Sequence, residues 1–197
     1  MSRYALIERK TLETSIRLEI DLDSRQKSVI SSGVDFFDHM LNSMSKHGRF
    51  YMNLSCKGDT HVDDHHTVED IGICLGMAFR EALGTKAGIR RFGYSMIPMD
   101  DALAVSVIDL SGRAYFRYTG SALSGHIKNY SEDLTIEFLR SFSDNAAMNL
   151  HVELKSGDNR HHIHEAIFKS VGVALRSAVS MDPDQDGEIP STKGVIS

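Results

Sequence analysis

The sequence predicts an α+β protein that consists of two duplicated half-domains. The segment HHTVEDIGICLGMAFREAL (65–83) recurs as HHIHEAIFKSVGVALRSAV (161–179), 96 positions later, with two histidines and one glutamate retained. In both halves, helical and alternating hydrophobic patterns occupy separate blocks, which favours helices that cover one face of a mixed or antiparallel sheet. We expect half-domains over residues 1–92 and 93–180, followed by a tail over 181–197.

Two further blocks repeat upstream of these segments and in the same order. Residues 51–59 resemble residues 147–158, and residues 38–44 resemble residues 136–142. Because chance does not readily give three matching blocks in one order, the repeat indicates internal duplication.

The hydrophobic pattern predicts the elements of both halves. Alternating apolar and polar residues predict strands within 14–22, 50–56, 102–118 and 147–154. Apolar residues at helical spacing predict helices within 36–47, 69–83, 132–143 and 165–179. Ser111-Gly112 is predicted to form a hairpin turn between two strands. The tail contains DPDQDGEIPST and is predicted to be irregular, because these residues favour turns.

Composition and charge narrow the functional classes. The 197 residues are 41% hydrophobic and 25% charged, as in ordinary globular proteins. A net charge of −5 argues against nucleic acid as a partner, and no long apolar run predicts a membrane span. The first residues lack the apolar centre of an export signal, and Cys56 and Cys74 lie far apart among apolar residues. We therefore expect reduced thiols and a cytoplasmic protein.

The repeated His-His-x-x-Glu motif is the feature of the sequence that indicates metal chemistry. On a helix, residues four apart share a face, so the first histidine and the glutamate of each motif can reach one metal ion. The second histidine points about 100° away. A lone histidine pair is more often a solvated surface feature, but retention in both halves favours a pair of metal sites that suit Mn, Fe or Zn. The residues are His65, His66, Glu69, His161, His162 and Glu165.

Neighbouring residues can complete these sites. Asp59, Asp63 and Asp64 precede the first motif, where they can orient ligand imidazoles or cap the helix. His39 lies in the upstream helix, and Glu137 occupies the matching position of the second half. Either side chain can bind a metal, although a solvent-facing glutamate is the alternative interpretation of Glu137.

Five segments together resemble the imidazoleglycerol-phosphate dehydratase family. They are FFDHMLNSMSKHG, GDTHVDDHHTVEDIGICLG, RFGYSMIPMDDALAVSVIDLSGRAYF, HHIHEAIFKSVGVALR and PSTKG. The resemblance runs from Glu8 to Ser197, with the motifs DHHxxED, IPMD, SGR and STKG in the family's order. It implies a ribosomal protein S5 domain 2-like fold, with one four-stranded sheet covered by helices in each half-domain.

The resemblance also implies the reaction and the assembly. The family converts D-erythro-imidazole glycerol phosphate to imidazole acetol phosphate in histidine biosynthesis, with the substrate imidazolate bridging two Mn²⁺ ions per active site. Fe²⁺ or Zn²⁺ would also suit the ligands. The family forms a homo-oligomer of 24 subunits, and we expect active sites shared between subunits.

Site residues follow from the resemblance position by position. The metal ligands implied are His39, His65, His66, Glu69, Glu137, His161, His162 and Glu165. Three positions depart from the family: Glu137 replaces a common histidine, Ile136 a usual glutamate, and Ser43 a frequent glutamine.

The substrate-binding residues implied fall into two groups. Glu13 is the candidate proton-shuttling carboxylate, and His47 and His61 are further catalytic candidates. The residues implied for the phosphate are Arg91, Arg113, Lys169, Ser191, Thr192 and Lys193. From the residues alone, Arg113 and Lys169 are more typical of solvated surface positions.

Two other functions share some of these features. A metal-dependent hydrolase of phosphorylated small molecules would use the same ligands but would release phosphate. A ferritin-like storage protein would show four long helices with Glu-x-x-His pairs, whereas this sequence predicts short helices and clear strands.

Overall fold

The computed structural model describes residues 3–185 and 187–196, which form two four-stranded sheets, four helices and a two-stranded ribbon. Residues 1, 2, 186 and 197, which the predicted half-domains and tail include, lie outside this description. No helix in the described ranges is both long and apolar enough to cross a bilayer. The predicted α+β class, with one four-stranded sheet per half, is confirmed.

The first sheet has the strand order β1-β2-β4-β3. Its strands are β1 (Tyr4–Lys10), β2 (Thr14–Asp21), β3 (Val29–Ser31) and β4 (Tyr51–Gly58). Neighbouring strands are antiparallel except β3 and β4, which are parallel. Alternate residues of β2 are buried, because one face of the sheet packs on helices.

The second sheet repeats this arrangement as β5-β6-β10-β7. Its strands and those of the intervening ribbon are β5 (Phe92–Met99), β6 (Ala102–Asp109), β7 (Tyr115–Thr119), β8 (His126–Ile127), β9 (Tyr130–Ser131) and β10 (Asn149–Ser156). Only β7 and β10 are parallel neighbours in this sheet. The two strand orders are therefore equivalent, as a duplicated chain would give.

Four helices occupy the predicted places. They are α1 (Asp35–Gly48), α2 (His65–Leu83), α3 (Leu134–Ala146) and α4 (Arg160–Val179). Helix α2 packs on β1 and β2, and α4 packs on β5 and β6. Helix α1 also packs on α4, and α2 on α3, so the helices lie between the two sheets.

Glycines set how closely these helices cross. A Cβ added to Gly76 of α2 would lie 2.7 Å from main-chain atoms of Phe142 and Ala146 on α3. A Cβ on Gly172 of α4 would lie 2.5 Å from the main-chain oxygen of Met44 on α1. Both glycines occupy the same position of the repeat, so the two close crossings, each between helices of different half-domains, are equivalent.

The predicted hairpin at Ser111-Gly112 is wrong. A turn exists there, with Gly112 at φ 82°, but β6 and β7 are not neighbours. Strand β10 lies between them, antiparallel to β6 and parallel to β7. The continuous alternation of 102–118 suggested local pairing, whereas the actual partner follows α3 in the chain.

Three of the four edge strands escaped prediction, whereas β7 begins within the predicted segment 102–118. β1, β3 and β5 each have only one neighbouring strand, and β5 contains Pro98, which is tolerated at an edge. In the described part of the tail, a short 3₁₀ helix (Pro183–Gln185) and one bridge between Ile89 and Met181 are the regular features. The tail is otherwise irregular, as predicted.

We expect the Gly76→Ala and Gly172→Ala variants each to lower the free energy of unfolding by about 1–3 kcal/mol, because main-chain atoms must move. The destabilisation from moving main-chain atoms should exceed the stabilisation of about 1 kcal/mol that replacing glycine by alanine gives a helix. Urea unfolding measures the effect, and Glu81→Ala on the exposed face of α2 is the control. Unchanged stability of both glycine variants would contradict the close crossing.

Candidate active site

Asn159 fixes the start of α4 and with it the position of two histidines. Its side-chain oxygen accepts hydrogen bonds from the main-chain N–H groups of His161, at 2.9 Å, and His162, at 3.3 Å. This capping places both histidines in the first helical turn. His161 Nε2 then lies 3.4 Å from Glu165 Oε2 one turn later. The pair shares one helical face, as the spacing predicts.

The equivalent pair forms at the start of α2. Asp63 accepts a hydrogen bond from the main-chain N–H of His65 at 2.8 Å, so this aspartate supplies the capping contact. His65 Nε2 lies 3.9 Å from Glu69 Oε2. Both copies of the motif therefore present an imidazole and a carboxylate on one face.

Helix α1 adds His39 to the pair on α4. Potential ligand atoms of His39, His161 and Glu165 all lie within 4.8 Å of one another. Within the described ranges, this is the group of three histidine, cysteine or acidic side chains close enough to hold a metal ion. Two imidazoles and one carboxylate are donors that suit Mn, Fe or Zn.

Lys169 adjusts the charge of this group. Its Nζ lies 2.9 Å from Glu165 Oε1, one turn further along α4. Burial acts to raise the pKa of Glu165, but the hydrogen bond and charge of Lys169 outweigh it and hold the pKa below the usual value. The carboxylate is thus kept ionised, the form that binds metal.

His66 points away from His65 and lies between two carboxylates. Its Nδ1 is 3.0 Å from Asp59 Oδ2, and its Nε2 is 3.6 Å from Glu13 Oε1. The hydrogen bond with Asp59 raises the pKa of His66. An Asp that accepts from Nδ1 leaves Nε2 as the free nitrogen of neutral His66, the arrangement typical of a metal-binding histidine.

His162 has the equivalent environment in the second half. Its Nδ1 is 2.6 Å from Asp101 Oδ1, and its Nε2 is 3.5 Å from Asp100 Oδ2. Main-chain N–H groups of Asn159 and Asp158, together with His162, hold the pKa of Asp101 well below its usual range. Neither aspartate is among the predicted site residues, although the repeat offers a signal, because equivalent histidines require equivalent partners.

Glu137 lies in the first turn of α3, with Oε2 3.8 Å from Arg140 Nε. Within the described residues it does not join a close group of three metal-binding side chains. Its helix packs on α2, which carries His65 and Glu69. Glu137 and the first motif therefore lie on two helices that pack together, as His39 and the second motif do.

Most of the residues implied for phosphate binding surround one cavity. A volume of about 280 Å³ is lined by Arg91, Arg113, Ser191, Thr192 and Lys193, among others. These residues come from the start of β5, the turn after β6 and the tail. Hydroxyl and cationic side chains around one small cavity suit a phosphate group.

Arg91 connects the parts of the chain that line this cavity. Its guanidinium contacts Asp109 at 2.7 and 3.1 Å and donates to the carbonyl of Pro190 at 2.8 Å. Asp109 ends β6, whereas Pro190 precedes the Ser-Thr-Lys segment. Arg91 thereby holds the tail against the second sheet.

Lys169 and His47 lie elsewhere, around a cavity of about 720 Å³ that also borders His39 and Glu165. Burial lowers the pKa of His47, and the charges of Lys169 and Lys46 lower it further. Within one chain, the residues implied for the phosphate therefore lie at two separate cavities. His61 is exposed in the segment between β4 and α2.

Known proteins resemble this chain along its whole length. A family model described as imidazoleglycerol-phosphate dehydratase matches residues 32–175. The dehydratases of Granulibacter bethesdensis and Geobacillus kaustophilus are each 50% identical over 196 residues, covering 100% of both chains. The crystal structure of the Staphylococcus aureus dehydratase has a TM-score of 0.83 at 34% identity, covering 91% of this chain and 99% of its own. The Pyrococcus furiosus enzyme in complex with (S)-C348 gives 0.82 at 34% identity, covering 96% and 99%.

Proposed function

Because the chain belongs to the imidazoleglycerol-phosphate dehydratase family, it is a hydro-lyase of histidine biosynthesis, and we propose that bound Mn²⁺ supports its reaction. The observation that carries this proposal is the convergence of His39, His161 and Glu165 from two helices. The substrate class is D-erythro-imidazole glycerol phosphate, and the product is imidazole acetol phosphate. Buried, unpaired Cys56 and Cys74 support a cytoplasmic location.

The donor chemistry fits two metal ions per active site. His39, His161 and Glu165 would hold one ion, and Glu137, His65 and Glu69 would form the equivalent set. His66 and His162 would add ligands through Nε2, the nitrogen left free by Asp59 and Asp101. The same donors would accept Fe²⁺ or Zn²⁺.

The geometry of one chain supports a site shared between subunits. His66 Nε2 and His162 Nε2 face Glu13 and Asp100 rather than the group on α1 and α4. The phosphate cavity and the group around Glu165 are also lined by different residues. A homo-oligomer, with 24 subunits as the proposed state, would bring these separate parts together.

The reaction removes the hydroxyl group from the carbon attached to the imidazole ring and a proton from the neighbouring carbon, which keeps its own hydroxyl group. Departure of this hydroxyl group needs an electron pair from the deprotonated ring, and Mn²⁺ held by His39, His161 and Glu165 would supply the positive charge that favours the deprotonated ring. Glu13 is the proposed carboxylate that takes the proton, and its position beside His66 Nε2 supports this role. The hydroxyl group leaves as water, and the resulting enol becomes the ketone.

Other side chains bind and orient the substrate. Arg91, Arg113 and Lys193, with the Ser191 and Thr192 hydroxyls, would hold the phosphate and direct the imidazole end toward the metal ligands. Lys169 would contribute a further cation, and His47 and His61 would lie near the substrate in the assembled site.

We expect His39→Ala to weaken Mn²⁺ binding at least about tenfold, because the group on α4 loses its ligand from α1. Metal per chain, measured after dialysis against graded Mn²⁺ concentrations, tests this. His151→Ala, which removes an exposed histidine of β10, is the control. Equal Mn²⁺ content in both variants would contradict the assignment of His39.

We expect Arg113→Ala to raise KM for the substrate about 10- to 100-fold, since a charged hydrogen bond contributes about 1.5–3 kcal/mol. Steady-state kinetics with the phosphorylated substrate provides the measurement. Arg117→Ala, at an exposed position of β7, should leave KM unchanged. A KM unaffected by loss of Arg113 would remove it from the phosphate site.

We expect Glu13→Gln to retain Mn²⁺ and to lower kcat by about 10²–10⁴-fold, the contribution typical of a general acid or base. Product formation and metal content measured on the same preparation separate catalysis from metal loss. Normal turnover in this variant would exclude the proposed role of Glu13, and release of phosphate by the unmodified protein would indicate a hydrolase instead.

A further inference from the structure

Asp70 is a buried carboxylate on α2 with two partners on the first sheet, a hydrogen-bonding hydroxyl and a guanidinium held as an ion pair. The hydroxyl of Thr14 donates a hydrogen bond to Asp70 Oδ2 at 2.5 Å. The guanidinium of Arg9 lies 2.6 Å from the same oxygen. Only 10% of the Asp70 side chain is exposed, so the three residues form a largely enclosed ionic cluster.

The fold itself does not require a carboxylate at this position. The equivalent residue of the repeat, 96 positions later, is Ala166, which is fully buried against the second sheet. Burying an ionised group is unfavourable unless cations and donors compensate for it. The first half-domain is therefore destabilised by a buried charge that the second half-domain lacks. We look for its explanation in a feature that only the first half has.

That feature is the three-residue β1–β2 turn, which carries Glu13; the equivalent β5–β6 turn has two residues and places Asp100 beside His162. Thr11 Oγ1 accepts hydrogen bonds from the main-chain N–H groups of Glu13, at 3.1 Å, and Thr14, at 2.9 Å. The main-chain N–H of Asp59 donates to the Glu13 carbonyl at 3.1 Å. The main chain of Glu13 is thus fixed, while half of its side chain remains exposed.

Asp70 connects this turn to the metal-binding helix. Asp70 follows His66 by one helical turn, so the two side chains share a face of α2. Thr14 follows Glu13 directly, and Arg9 lies on the opposite strand of the hairpin. The cluster therefore joins the hairpin to the helix next to the 3.6 Å contact between Glu13 Oε1 and His66 Nε2.

We propose that Asp70, held by Thr14 and Arg9, is a positioning residue that aligns Glu13 with the substrate. This inference rests on the proposed role of Glu13 as the proton-shuttling carboxylate. It assigns to the final aspartate of the DHHxxED motif a task distinct from metal binding.

The decisive variant is Thr14→Val, which keeps the shape of the side chain and removes the hydroxyl. We expect kcat to fall about 10- to 100-fold, because small displacements of a catalytic group are costly, while KM and Mn²⁺ content change less than about twofold. Thr14→Ser should restore kcat, since serine keeps the hydroxyl. Arg9→Gln acts on a partly exposed residue and should lower kcat in the same way, even if Thr14→Val fails to fold.

A matched control comes from the second half-domain. Ser106→Ala removes a buried hydroxyl contact of 2.6 Å between β6 and Ser170 of α4, and should lower stability without lowering kcat. The inference is overturned if kcat is unchanged in Thr14→Val and Arg9→Gln, or if Ser106→Ala loses kcat equally.

Glu13→Gln separates this inference from the proposed function. If that variant loses kcat while Thr14→Val and Arg9→Gln retain it, only the positioning role fails. If Glu13→Gln retains kcat, the role of Glu13 and the positioning role fail together.

Discussion

The close crossing of α1 with α4, and of α2 with α3, is the constraint on which the remaining structure depends. Gly172 and Gly76 let main chains approach where any larger residue would collide. That approach brings His39 to His161 and Glu165, although these residues are far apart in sequence. The same contacts let each sheet bury its inner face. The packing of the helices and the candidate metal ligation therefore both depend on a close helix crossing, and duplication provides this crossing twice.

Duplication supplies equivalent positions, and local differences give them separate tasks. His66 and His162 both lie between carboxylates, but the facing group is Glu13 in one half and Asp100 in the other. At the next turn of the helix the halves diverge further, with buried Asp70 in one and Ala166 in the other. The scaffold is repeated, whereas the polar groups around it differ between the two halves.

Features encoded over short distances could be predicted from the sequence, and long-range pairings could not. The helices and the His-x-x-x-Glu faces follow from periodicity alone. The placement of β10 between β6 and β7 depends on residues beyond α3. The alternation of 102–118 therefore predicts the wrong neighbour for β6. Asp101 contacts His162 across 61 positions, and no local pattern indicates that pairing. Of the six residues that the family resemblance implies for the phosphate, five line one cavity and Lys169 lines another. A single chain therefore does not bring all six together.

The strand order also constrains how the chain acquires its structure. In each sheet an inner strand, β4 or β10, is the last of the four in sequence. Until it is in place, β2 or β6 leaves its main-chain groups open on one side, and β3 or β7 has no strand to join. Each half-domain must therefore close a long loop before its sheet is complete, which favours slow folding. During synthesis, exposed strand edges persist until residues near 58 and 156 emerge, and this interval is when aggregation is most favoured.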